Sequence, residues 1–355
     1  MTDQAGEFAE RVFGSILGAM EIGSIFLGDR LGFYRSLIDD GPATSDELAS
    51  RTGVAERYAR EWLEQQAAIG YLTVDDVAAE PHVRRFTLPR AHAEVLADHD
   101  STMFLGGVPR MIASSFHAMP ELLEAYRTGG GVSWARYGDD MWQGQGDTNR
   151  PLFMTSLARE WLPQIPAVDA ALGAGGRVAD VGCGTGWSSI AIALGYPQAT
   201  VDGFDPDTVS VDDARVNAIE MGVADRVRFH DIDAAEAAGD SYDLVLAFEC
   251  IHDMPYPVPV LASMRKLAGA AGTVLVVDER VGERFSAPAG DVERLMYGFS
   301  LTVCLPDGMA HPNSAGTGTV MRPDTLLRYA TEAGFAGIEI MPIEHDSFRV
   351  YRLVT

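Results

Sequence analysis

The sequence predicts an α/β protein: a doubly wound, mainly parallel sheet in the C-terminal half, behind a smaller, mainly helical N-terminal part. Three observations carry this. Val178-Ala-Asp-Val181 is a short apolar strand that runs into Gly182-Cys-Gly-Thr-Gly186 and then into a helix starting near Ser188. Apolar runs then alternate with helical segments to the end of the chain, which is the pattern of a parallel sheet with crossover helices. Before residue 165 the periodicity is helical, apart from two short strand-like runs.

Composition bounds what such a chain can do. With 355 residues, 47% hydrophobic and 22% charged, it is long enough for a nucleotide-binding domain of ordinary size and a smaller unit. A net charge of −24 repels phosphate backbones and counts against nucleic acid as a partner. Val12 to Gly28 is the most apolar stretch, but Glu21 interrupts it and no basic segment precedes it. Neither a signal peptide nor a membrane span is therefore expected, and the protein is read as cytoplasmic. Cys183, Cys250 and Cys304 have no paired spacing, so neither a disulfide nor a metal site is expected.

In chain order, Phe8 to Leu27 is helical in pattern and apolar on nearly every side, with small residues Gly14, Ser15, Gly18, Ala19 and Gly23 along it. Such a helix needs cover all round, and a second copy of the chain is the simplest cover, so a homodimer is expected. Leu31 to Leu96 reads as a winged helix. Thr44-Ser-Asp-Glu47 is a capping box, Gly53 stops that helix, and Glu56 to Ile69 follows with Tyr58, Trp62, Leu63, Ala67 and Ile69 toward a buried side. Tyr71–Val74 and Arg85–Leu88 make the wing. The motif alone suggests DNA binding, but the second helix carries Glu56, Arg57, Arg60, Glu61 and Glu64, a mixed and solvated face. A scaffold for dimerisation fits that face better than a DNA reader, with Arg84, Arg85 and Arg90 the argument for the latter.

Thr102 to Tyr126 is helical, with Met103, Phe104, Met111, Ile112, Phe116, Leu122 and Leu123 as expected core and breaks at Pro109 and Pro120. After Gly129-Gly-Gly131, the run Trp134, Tyr137, Met141, Trp142 mixes glycine with aromatics, as ligand covers do, and leads to a helix over 149–161. The expected divisions are therefore 1–100, 101–165 and 166–355.

In the last of these, strands are expected at 178–181, 200–204, 226–229, 242–248, 273–277, 338–343 and 348–353. Asp205 ends the second strand, where a carboxylate can accept from both hydroxyls of a ribose, with Asp207 a weaker second. His252 lies just past the fourth strand, at the carboxyl edge where ligands of open α/β sheets sit. Residues 281–322 form a long insertion read as a lid, from which Tyr297, Ser300 and His311 could face a substrate.

The G-x-G-x-G spacing after Asp180 differs from the G-x-G-x-x-G of dinucleotide sites and resembles motif I of the class I S-adenosylmethionine-dependent methyltransferases. The whole chain resembles bacterial small-molecule O-methyltransferases with an N-terminal winged-helix dimerisation domain, some of which are labelled transcriptional regulators. That resemblance implies a Rossmann-like sheet closed by an antiparallel hairpin. It implies S-adenosylmethionine as cofactor, leaving as S-adenosylhomocysteine, held by Asp180, Gly182, Gly184, Gly186, Asp205, Asp233, Ala234, Phe248 and Glu249. Asp233 would accept the adenine amino group. The resemblance further implies a small-molecule acceptor and His252 as its general base, or as a wall of its pocket, oriented by Asp278. The family's second orienting carboxylate would fall near Met321, where this chain has no acid. The alternative function is a cofactor-responsive DNA-binding regulator.

Overall fold

The computed structural model describes residues 4–237 and 241–355. They form two compact units, Met1–Ser114 with Gln143–Pro151, and Ser115–Trp142 with Leu152–Thr355.

The first unit begins with the helix Gln4–Arg30 and continues through Phe33–Asp39, Ser45–Thr52 and Glu56–Ala68 to a two-stranded wing, β1 (Thr73–Val74) against β2 (Phe86–Thr87). The capping box forms as the sequence requires: Thr44 Oγ1 accepts the Glu47 N–H at 3.3 Å and Glu47 Oε2 accepts the Thr44 N–H at 2.9 Å. Gly53, at φ 73°, ends the helix. In Glu56–Ala68 the buried stripe is Ala59, Trp62, Leu63 and Gln66, an i, i+3, i+4, i+7 set. Tyr58 falls outside that stripe and is 76% exposed, contrary to expectation. Gln66 is fully buried because its amide is used at both ends: Oε1 accepts from Tyr34 Oη at 2.6 Å and Nε2 donates to Ser24 Oγ at 2.9 Å.

The helix Gln4–Arg30 is not covered within its own unit. Phe8, Phe13, Ile16, Leu17 and Met20 are exposed, Met20 at 70%. Among the described residues it is the one helix long and apolar enough to cross a membrane. Its glycines divide by use. A Cβ on Gly28 would lie 2.5 Å from the Trp62 ring, whereas Gly14, Gly18 and Gly23 have open space beside them.

The prolines at 109 and 120 start helices rather than break them. Pro109 lies in the first turn of Gly107–His117 and Pro120 in that of Met119–Thr128, where a missing N–H costs nothing. Phe104 and Leu122 are buried as expected, but Met103, Phe116 and Leu123 are exposed. The helix expected over 149–161 starts earlier, at Asp139, and runs through Pro151 by widening into a π-helical stretch, Phe153–Trp161.

The second unit is built on a seven-stranded sheet in the order β5-β4-β3-β6-β7-β9-β8. Its strands are β3 (Arg177–Val181), β4 (Thr200–Phe204), β5 (Val227–His230), β6 (Leu244–Phe248), β7 (Thr273–Glu279), β8 (Gly337–Ile340) and β9 (Phe348–Val354). β3 to β7 pair in parallel, and β9 closes antiparallel on β7 and β8. Both faces of the sheet are packed. Val178, Leu246 and Val277 point to one core and Ala179, Val181, Val245 and Val276 to the other, so the central strands read as continuous apolar runs. Strand order reverses between β3 and β6, which places the crevice at the carboxyl ends of those two strands. The insertion after β7 is more helical than expected. Asp291–Phe299 continues through a π-helical turn, Ser300–Cys304, into Leu305–Met309, where Pro306, which has no N–H to give, sits in the first turn.

Candidate active site

The glycine loop occupies the crevice. Gly182, Gly184 and Gly186 all have positive φ, at 69°, 49° and 84°. A Cβ on Gly182 would meet Cys250 Sγ at 2.6 Å, and one on Gly186 would meet the Phe229 ring at 2.6 Å, so both are required by packing as well as by φ. Gly184 is different. The space beside it is open, and its N–H donates to Asp205 Oδ2 at 2.9 Å. Asp205 Oδ1 accepts the Asp207 N–H at 2.9 Å, which fixes the carboxylate at the end of β4. Burial pushes its carboxyl up to about 6 against the pull of those two N–H bonds.

Asp180 is 1% exposed at the end of β3. Its Oδ2 accepts from Ser188 and Ser189, both at 2.6 Å, while Oδ1 has no hydrogen-bond partner. Burial raises this carboxyl to about 6 although both serine hydroxyls oppose the shift. A buried carboxylate oxygen without a partner, beside a glycine cradle open on one side, fits a ligand carrying a cationic amino group and a ribose.

The remaining residues read from the sequence differ in placement. Asp207 is engaged as a helix cap, accepting from Ser210 N at 3.0 Å and Ser210 Oγ at 2.6 Å. Asp233 is exposed and uses one oxygen on the Ala235 N–H at 2.8 Å, next to buried Ala234. The Phe248 ring stacks at 6.3 Å on Trp161 and edge-on at 4.9 Å on Phe153. Glu249 takes φ 47°, a left-handed conformation unusual for a residue with a Cβ, just past the end of β6.

His252 lies beyond it and is 2% exposed. Its Nδ1 is 2.9 Å from Asp278 Oδ1 and 3.2 Å from Glu279 Oε2, and its Nε2 is 3.1 Å from Asp253 Oδ1. The structure thus brings Asp278 to the ring and adds a second carboxylate from the next residue, Glu279. Met321, where the sequence showed no acid, is buried. Burial alone would lower the ring's pKa, but Asp253, Asp278 and Glu279 together raise it well above its ordinary value. The three carboxylates thus favour the protonated ring, whose Nδ1 is hydrogen-bonded to Asp278 Oδ1 at 2.9 Å while Nε2 lies near Asp253 without a hydrogen bond to it. For Asp278, burial opposes ionisation but His252 and hydrogen bonds outweigh it, and its carboxyl is held low. Glu279, buried and beside Asp278, is pushed well up.

Of the aromatic cover, Tyr137 and Trp134 reach the insertion: Tyr137 Oη donates to Thr302 O at 2.8 Å and the Trp134 N–H donates to Asp307 Oδ1 at 2.7 Å. Met141 is fully buried. Tyr297 belongs to a separate cluster, where Arg322 donates to its hydroxyl at 3.2 Å and to Glu293 at 2.6 Å. Ser300 is buried, and a Cβ on Gly318 would approach its Oγ. His311 is exposed, its ring 6.5 Å from that of Tyr256. Sequence reasoning missed Asp253 and Asp307. Asp253 had a signal, being adjacent to His252, whereas Asp307 lay within the insertion read as a lid, with no motif to mark it.

Comparison with known proteins agrees with this architecture. Residues 172–305 match the model of a methyltransferase domain and residues 10–98 that of the Rv2258c-like winged HTH domain. The chain thus carries a Rossmann-like methyltransferase domain that uses S-adenosylmethionine, behind an N-terminal winged helix-turn-helix domain. Among its relatives is the mitomycin biosynthesis 6-O-methyltransferase of Streptomyces lavendulae, 27% identical over 81% of this chain and 82% of that protein. The ubiquinone biosynthesis O-methyltransferase of Vibrio cholerae is 28% identical over 50% of this chain and 69% of its own length. Human N-acetylserotonin methyltransferase, solved in complex with SAM, shares the fold with a TM-score of 0.69 at 17% identity, covering 99% of this chain and 98% of that one.

Proposed function

We propose that the protein methylates a hydroxyl group on a small, flat-ringed acceptor. The observation that carries this is the crevice itself: an open glycine cradle with buried Asp180 and half-buried Asp205 on one side, and on the other a histidine–carboxylate cluster beside Trp134 and Tyr137. The names of the mitomycin and ubiquinone relatives support a ring hydroxyl as the acceptor. S-adenosylmethionine supplies an activated methyl group on a sulfonium. Asp180 would hold the amino group, Asp205 the ribose, and Asp233 with Ala234 the adenine, while the backbone of Phe248 and Glu249 floors the crevice. Trp134 and Tyr137 form the acceptor wall; of the other residues read as substrate-binding, Met141 and Ser300 are buried and Tyr297 stands in its own cluster with Arg322 and Glu293. His252 and Asp278 are the charged centre of the acceptor side. Positioning the hydroxyl in line with the methyl group provides much of the acceleration.

The winged helix serves as scaffold, and we assign the exposed face of Gln4–Arg30 to a homodimer in the cytoplasm. Its open glycines at 14, 18 and 23 permit close approach of a second helix. Light scattering should give a dimer that Ile16→Asp with Met20→Glu converts to a monomer; flotation with lipid vesicles instead would assign the helix to a membrane. The function is tested with tritiated-methyl S-adenosylmethionine and a panel of phenols and hydroquinones. Label transfer to at least one is expected, and cofactor binding without any transfer would count against the reading.

A further inference from the structure

The two ends of the insertion after β7 meet in one polar cluster. Glu293 is the one buried residue of the helix Asp291–Phe299, and each of its carboxylate oxygens is used. Oε1 accepts from Arg322 Nη2 at 2.6 Å, and Oε2 accepts the Gly282 N–H at 3.1 Å. The same guanidinium donates from Nη1 to the Gly282 carbonyl oxygen and from Nη2 to the Tyr297 hydroxyl, the latter at 3.2 Å. Gly282 stands at the start of the insertion and Arg322 at its end, so one arginine joins both ends to the helix between them. Arg349 on β9 donates to Val281 O at 3.2 Å and ties the cluster to the sheet. Residues 283–288, which lead toward the helix, are exposed. Packing along that loop therefore does not fix where the helix starts, and the cluster does.

From this seat the helix continues through Ser300–Cys304 and Leu305–Met309 to the acceptor wall. There Thr302 O accepts from Tyr137 Oη at 2.8 Å, Pro306 O accepts the Val132 N–H at 2.9 Å, and Asp307 Oδ1 accepts the Trp134 N–H at 2.7 Å. On the way back Gly318 N donates to His252 O at 3.1 Å. We propose that Arg322 is a positioning residue for methyl transfer: with Glu293 it seats the insertion, and through the helix it sets where Thr302 and Asp307 meet Tyr137 and Trp134. This rests on the methyltransferase reading above. A guanidinium suits the task because its donors form a rigid fork that serves Glu293, Gly282 and Tyr297 together, whereas an ammonium is a point charge. A displacement of about 1 Å far from the chemistry is enough to cost up to about a hundredfold in rate. The effect falls on the acceptor side alone, since Asp180 and Asp205 stand at the ends of β3 and β4 and none of the cluster touches them.

The test compares wild type, Arg322→Gln and Arg322→Lys, full-length and saturated with S-adenosylhomocysteine, by hydrogen–deuterium exchange. In Arg322→Gln the amides of 300–309 should exchange about tenfold faster while those of 182–190 stay protected, and Arg322→Lys, which keeps the charge but not the fork, should fall between. Unchanged exchange at 300–309 overturns the proposal, as does an equal loss of protection at 182–190, which would make the arginine a matter of general stability. With the phenol or hydroquinone that the wild type methylates, Arg322→Gln should raise KM about tenfold at little cost to kcat and none to S-adenosylhomocysteine affinity, and an unchanged KM also overturns it. Should the Arg322 variants fail to fold, the wild type still decides: the amides of Gly282 and of 292–299 should exchange far more slowly than those of 284–287, and equal rates would remove the seat. A wild type that binds no S-adenosylhomocysteine would end the methyltransferase reading itself, which is a separate outcome.

Discussion

The two halves of the crevice hold buried carboxylates in opposite ways. On the cofactor side, Asp180 and Asp205 are supported by neutral donors, serine hydroxyls and backbone N–H groups, and burial raises both to about 6. On the acceptor side, burial raises the Asp278 carboxyl but the His252 ring, 2.9 Å away, and hydrogen bonds outweigh it and hold it low. The first arrangement leaves negative charge that needs a cation from outside. The second draws its partner, the His252 ring, from within the protein. One half is thus built to bind charge and the other to keep a charge in place.

The strongest way to break this contrast is Asp278→Asn. Removing one partner of a buried ion pair leaves the imidazolium under-compensated, and chemical denaturation should show a loss of about 3–5 kcal/mol. Gly186→Ala should come next, at about 3 kcal/mol, since a Cβ at φ 84° adds backbone strain to a contact 2.6 Å from Phe229, and cofactor binding measured by calorimetry should fail with it. Stability against pH separates the halves by sign. Asp180 and Asp205 have folded pKa values above their unfolded ones, so their ionisation disfavours the fold as pH rises from about 4 to 6, by about 1–3 kcal/mol each at most. S-adenosylmethionine should therefore raise the melting temperature more at pH 7 than at pH 5, and an equal shift at both would remove Asp180 as the partner of its amino group. His252 has the opposite sense: its raised pKa stabilises the fold fully below its unfolded value, and the contribution is lost only as pH rises through the folded value. The smallest effect is expected away from both halves. Thr44→Ala should cost about 1 kcal/mol through the lost cap and leave cofactor affinity unchanged in the same titration.

Legibility followed distance along the chain. The glycine loop, the strand ends at Asp180 and Asp205 and the capping box are local patterns in which backbone φ, a turn and a side-chain cap depend on residues within a few positions. All were readable from spacing, whereas Asp278 was singled out only through the resemblance to the methyltransferases. Gln66 was not, because a buried amide needs Tyr34 and Ser24 from other helices to satisfy it. Tyr58 was misplaced since a helical stripe shifted by one residue turns by about 100°.

What the sequence determined by itself was the order of strands and helices, the glycine cradle and the acidic strand ends, all set by local backbone requirements and hydrophobic period. Tertiary structure decided what His252 is. Its neighbours Asp278 and Glu279 arrive from β7, Cys304 and Asp307 from the insertion, and Asp253 turns back onto the ring. The protonation state of an imidazole depends on which charges surround it and how much water is excluded, and both are properties of the packed unit rather than of any stretch of chain.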